Sequence, residues 1–242
     1  MTQETKRICV WSGPRNISTA LLYSFGERDD TRVADEPLYG FYLAESGAEH
    51  PGYDELRAKL DPDGERVVRE VILGPCDRKV LFLKQMAHHL TGSLDWEFLK
   101  QTVNVLLVRD PEQMLPSLDV QVPQPTMRDA GYDKLAQILD YCEAAGQQVP
   151  VLDSRDLQNE AERVLRALCE QLGIGWDPAM LAWPAGPKPY DGPWAPYWYH
   201  NVHKSTGFTP YKAKTAPFPE RLRPLLDECA PIYERLSRLA IR

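Results

Sequence analysis

Cysteine is scarce and poorly spaced for a metal or disulfide framework. The five (Cys9, Cys76, Cys142, Cys169, Cys229) are odd in number and scattered along 242 residues. Reduced thiols in a cytoplasmic protein are the expectation, with no metal. No apolar run approaches the roughly 20 residues of a membrane span. Met1 to Arg7 lead straight into a first strand, so no signal peptide is expected. Positive charge has no surplus: the net charge is −7 and the pI near 5.3. That excludes a sequence-wide field for nucleic acid or anionic lipid, while a small anion needs only a local cluster of cations. Internal repeats are absent. So is a Gly-x-x-x-x-Gly-Lys-Ser/Thr loop: Lys204-Ser205-Thr206 mimics its end, but neither the strand nor the glycines precede it.

What is present is the composition of a folded globular chain, 43% hydrophobic and 26% charged. It predicts one domain over residues 1–242. Apolar runs at Ile8–Trp11, Thr31–Tyr39, Lys79–Lys84, Val103–Val108 and Val149–Asp153 read as strands. Helical spacing falls between them, at Ala20–Phe25, Tyr53–Leu60, Val67–Leu73, Pro111–Leu118, Tyr132–Ala145 and Glu160–Leu172. A last helix is expected over Pro219 to Ile241. Strands alternating with helices predict a three-layer α/β fold, a central parallel sheet covered on both faces, with ligands at the carboxyl ends of its strands. A Pro- and aromatic-rich loop over about 183–218 is long enough to be functional.

The stretch Gly13-Pro14-Arg15-Asn16-Ile17-Ser18-Thr19 joins the first strand to the first helix. Backbone N–H groups at a helix N-terminus bind anions, Arg15 adds a planar cation, and Ser18 and Thr19 add hydroxyl donors. The plainer alternative is an ordinary helix capped by Ser18. Glu36, Lys84 and Arg109 fall at or just after other strand ends, which favours the anion loop.

Together these segments resemble the sulfotransferases that use 3′-phosphoadenosine 5′-phosphosulfate, over roughly Ile8 to Gly173. Pro14-Arg15-Asn16-Ile17-Ser18-Thr19 is similar to the family's first loop, which holds the 5′-phosphosulfate end. Arg109 ending a strand, with Ser117 eight positions later, is similar to its 3′-phosphate pair. Arg155-Asp156-Leu157 and the helix after it match a later segment. The resemblance implies a P-loop nucleotide-binding type of fold and sulfuryl transfer to a hydroxyl of a small acceptor, without a metal. It implies Arg15 and Lys84 beside the leaving oxygen, Glu36 or His88 as the base, and Lys204 in the late loop over the 3′-phosphate. Two positions depart from the family: Asn16-Ile17 replaces the usual Ser-Gly, and Ser154 stands where an adenine-facing aromatic is common. A P-loop kinase or nucleoside triphosphatase, and a nucleotide-binding module without catalysis, are the alternatives. Metal dependence separates the first of these.

Overall fold

The computed structural model describes residues 5–242. Its frame is a parallel sheet of β1 (Lys6–Ser12), β2 (Thr31–Asp35), β3 (Val80–Met86), β4 (Val103–Val108) and β5 (Val151–Asp153), in the order β2-β3-β1-β4-β5. Every strand pairing is parallel. Side chains alternate across a strand, so each strand feeds two cores. Ile8 and Val10 pack with Phe82 and Leu107 under α1 (Ser18–Gly26) on one face. Cys9 and Trp11 pack with Leu83 and Leu106 on the other. The predicted three-layer arrangement is what forms.

The helices cover these faces for reasons visible in their spacing. Met114, Leu115 and Leu118 are the buried positions of α4 (Pro111–Leu118), following α2 (Tyr39–Ser46) and α3 (Tyr53–Lys59). Leu135, Ile138, Leu139 and Cys142 form the buried stripe of α5 (Tyr132–Ala144). After α6 (Ser154–Asn159), the strongly amphipathic α7 (Ala161–Leu172) ends at Gly173, whose φ of 62° needs no Cβ. The closing helix is α8 (Arg223–Ser237).

Several boundaries differ from the sequence-based expectation. The second strand stops at Asp35; one further bond, Glu36 N to Lys84 O at 2.9 Å, ends the ladder before Pro37, which has no N–H. Tyr39 therefore opens α2 instead of ending a strand. That helix escaped the pattern because Tyr39 to Leu43 are all buried, leaving no polar face to set a period. Lys84 does not end its strand, which runs on through Gln85 and Met86. The fifth strand begins after Pro150, and the last helix stops at Ser237. Beyond it, Ile241 N bonds Val151 O at 2.9 Å and lays the chain end along the sheet edge. The segment 183–218 holds only short helical turns at Ala195–Trp198 and Val202–Lys204. It is fastened by Asp191, which accepts from Tyr23 Oη (2.8 Å) and Lys188 N (2.7 Å).

Gly13 shows how tightly the first loop is set. A Cβ there would lie 2.6 Å from the backbone oxygen of Ala130. Gly13→Ala should cost about 1–3 kcal/mol of stability, since backbone must move to make room. Urea unfolding checks this; an unchanged midpoint would mean the loop yields freely.

Candidate functional site

One cavity of about 310 Å³ opens at the carboxyl ends of β1, β2, β3 and β4. Its lining includes Pro14 to Thr19, Glu36, Lys84, His88 and Arg109 from the sequence-based list. Gly13, Ser117 and Lys204 are not part of it. Gly13, at the start of the loop, packs against the backbone of Ala130, while Ser117 is bonded to Arg15, which does line the cavity. Lys204 is exposed on the turn Val202–Lys204.

The loop between β1 and α1 is bent by residues in the left-handed region: Arg15 at φ 61° and Ile17 at φ 60°. For a β-branched side chain this conformation is strained, by about 1–3 kcal/mol. Ile17, not Ser18, is the N-cap of α1, and no side chain caps that helix. The turn is thus held in a left-handed conformation by an isoleucine where a glycine would adopt it freely. The uncapped N–H groups of the first turn remain available to an anion.

Two half-buried guanidiniums face this loop. Arg15 Nε donates to Ser117 Oγ at 3.1 Å, and Arg109 Nη1 donates to the carbonyl of Arg15 at 2.6 Å. Among the described residues neither arginine has a carboxylate partner. Burial lowers both pKa values, and Arg109 lowers that of Arg15 further by direct repulsion. Arg109 Nε and Asn16 Oδ1 are buried without a hydrogen-bond partner. An anionic ligand would satisfy the arginine donors, and Asn16 Oδ1 is left to accept from a hydroxyl or amine. A third cation approaches from the late segment. It is Lys214, exposed and outside the cavity lining like Lys204, yet near enough to Arg109 and Arg15 for their charge to add to the lowering of its pKa by desolvation. Its backbone N is anchored to Gln113 Oε1 of α4 at 3.0 Å. Nothing in the sequence spacing distinguished it from Lys204.

On the other side of the cavity one buried cation is enclosed by two carboxylates. Lys84 is 2% exposed and lies opposite Asp35 in the β2–β3 register. Its ammonium donates to Asp35 Oδ1 (2.9 Å), to Tyr199 Oη (2.8 Å) and to Glu36 Oε1. Tyr199 Oη in turn donates to Asp35 Oδ2 (2.7 Å) and accepts from Trp194 Nε1 (3.1 Å). Lys84 is therefore a fully paired interior cation, not a solvated strand terminus. Burial raises the pKa of Glu36 against the opposing pull of Lys84. The remaining oxygen, Glu36 Oε2, lies 3.9 Å from His89 Nε2. The histidine next to Glu36 is thus His89. His88, the preceding residue, lines the same cavity edge-on to His89 with ring centroids 4.6 Å apart.

These features place two cations without an ion-pair partner and an uncapped helix N-terminus at the end of a parallel sheet of the P-loop type. The sulfotransferase domain family matches residues 6–240, and the chain belongs to that family, a family of transferases. Two Arabidopsis thaliana proteins are similar in sequence. "Branched-chain-amino-acid aminotransferase-like protein 2" is 39% identical over 230 residues, and "protein 1" of the same name is 39% identical over 234. The matches take in 95% and 96% of this chain but only 41% and 42% of those proteins, so the chain spans about two-fifths of their length. Among solved structures, the sulfotransferase domain of the Synechococcus PCC 7002 olefin synthase superposes with a TM-score of 0.55 at 18% identity, covering 95% of this chain and 97% of that one. A sulfotransferase from Alicyclobacillus acidocaldarius gives 0.53 at 12% identity, covering 98% and 96%. Both share the fold. No helix among the described residues is long and apolar enough to cross a membrane.

The buried histidines make stability depend on pH. Burial pushes His88 down to about 3, and His89 and His50 are also lowered. A folded-state pKa below the unfolded value contributes stability above about pH 6.5, lost as pH falls through that value towards 3. His88 alone should contribute about 2 kcal/mol to the loss between pH 7 and pH 5. Urea unfolding of wild type and His88→Gln at both pH values checks this. An equal pH dependence in the two proteins would show His88 to be protonated freely.

Proposed function

We propose that this site transfers a sulfuryl group from 3′-phosphoadenosine 5′-phosphosulfate to the hydroxyl of a small acceptor. The observation that carries this reading is the pair Arg15 and Arg109, half-buried at an uncapped helix N-terminus and without a carboxylate. Their spare donors suit a ligand with two phosphate-type groups. Pro14 to Thr19 with Arg15 would hold the phosphosulfate end, and Arg109, Ser117 and Lys214 the 3′-phosphate. Lys214 takes the part that the sequence resemblance gave to Lys204. Bound there, the donor supplies an activated sulfuryl group on a phosphate leaving group.

The chain's own residues then divide the work of positioning and charge stabilisation. Arg15 places fixed positive charge where the leaving oxygen develops its negative charge. Glu36, ionised beside Lys84, receives the proton of the acceptor hydroxyl through Oε2. Lys84, its three donors taken by Asp35, Glu36 and Tyr199, stabilises that carboxylate until the proton arrives. His89 and His88, kept neutral, orient the acceptor. We read residues 1–242 as one catalytic domain, and the aminotransferase-like name of the plant proteins as theirs alone.

Calorimetric titration with 3′-phosphoadenosine 5′-phosphate, beside ATP with and without Mg²⁺, tests the donor. The expected result is selective binding that persists in chelator and weakens at least about tenfold in Arg109→Ala. Arg15→Ala should retain part of that affinity while losing sulfuryl transfer. Preference for ATP with Mg²⁺ would replace this reading with a kinase or triphosphatase.

A further inference from the structure

We infer that the acceptor at this site is an alcohol carrying no negative charge. The inference rests on the sulfuryl-transfer reading and concerns the half of the cavity away from Arg15 and Arg109. That half contains carboxylates without a spare cation. Glu36 and Asp129 both line it, and the one interior cation, Lys84, is already bound by Asp35, Glu36 and Tyr199. Asp129 Oδ2 accepts from Thr126 N (2.8 Å) and Thr126 Oγ1 (2.7 Å). Burial opposes its ionisation, but those bonds outweigh it and hold its pKa low. Its cationic neighbour Arg128, 3.5 Å away with a largely exposed side chain, neutralises it only weakly.

The remaining polar groups of this half are uncharged. His50, His88 and His89 are all held below the usual imidazole range by burial. His88 Nδ1 and His89 Nδ1 are buried without a partner, and both residues line the cavity. A neutral imidazole offers one donor and one acceptor, the complement of a hydroxyl. The body of the ligand would lie among Tyr39, Trp194 and Trp198. Aromatic faces accept an apolar ring or a cation and repel an anion. A carboxylate brought here would be desolvated beside Glu36 and Asp129, with only the largely exposed Arg128, already paired with Asp129, to set against them.

Three phenols of one shape, differing only in the charge of the side arm, test this. They are 2-(4-hydroxyphenyl)ethanol, tyramine and 4-hydroxyphenylacetate, titrated by calorimetry into the full chain saturated with 3′-phosphoadenosine 5′-phosphate. The neutral and cationic phenols should bind at least about tenfold more tightly than the anionic one. The gap should narrow in Asp129→Asn. Equal binding of all three, or tighter binding of the anion, overturns the inference. Failure of all three to bind a nucleotide-loaded protein also overturns it, and leaves the donor reading intact. Failure of the nucleotide itself to bind would instead defeat the donor reading.

Discussion

A lysine ammonium in the interior of a protein is tolerable only where opposite charge and hydrogen bonds surround it, and the site is arranged around Lys84. The parallel register sets Asp35 directly across from it, and the turn after Asp35 brings Glu36 to the same ammonium. Removing Lys84 would leave two buried carboxylates uncompensated, at a cost of about 3–5 kcal/mol. The same cluster recruits the late segment: Tyr199 fills the third donor direction of Lys84 and closes the ring by donating to Asp35. Glu36 accepts a backbone φ of 38° to reach this position. Strain at a non-glycine residue persists where surrounding contacts determine the conformation, and here three side chains do so.

The first loop works on the opposite principle. Arg15 and Arg109 repel each other, and among the described residues neither forms an ion pair, Asp110 and Asp153 acting on Arg109 only through space. Hydrogen bonds to Ser117 Oγ and to the Arg15 carbonyl fix their directions without neutralising their charge. Binding of an anion would satisfy both cations and the open turn of α1 together. The left-handed backbone at Arg15 and Ile17 is therefore tied to shape: it turns the chain sharply enough to aim that helix end at the cavity. Packing of Ile17 against the core beneath α1 compensates for part of the strain.

Much of this was legible before any coordinates. Buried strands announced themselves as apolar runs at Val103–Val108 and around Phe82, and Arg15, Glu36, Lys84 and Arg109 were picked out by standing near strand ends. The sequence pattern failed where environment overrides local signal. Lys84 read as a strand terminus because a charged residue in an apolar run ordinarily meets water; only the register reveals Asp35 beside it. Tyr39 to Ser46 carried no period because the helix is buried on nearly every side. Lys214 and Lys204 are alike in sequence context. Which of them nears the arginines depends on the anchoring of the late segment by Gln113, Gln158 and Asn159, a tertiary fact.

The two halves of the cavity thus differ in where charge is left open, and that difference gives the site a direction. On the loop side, cations are held in place by neutral groups and remain available. On the β2–β3 side, the cation is enclosed and a carboxylate oxygen remains available, with neutral histidines around it. Electrostatics alone would draw an anionic group to the loop end and keep it from the carboxylate end. Tyr199 stands at the junction, since its hydroxyl belongs to the Lys84 cluster while Trp194 ties it to the aromatic wall. The late segment is therefore part of the site's charge arrangement as well as its cover. A change in its packing would reach Glu36 through Lys84 without touching either ligand.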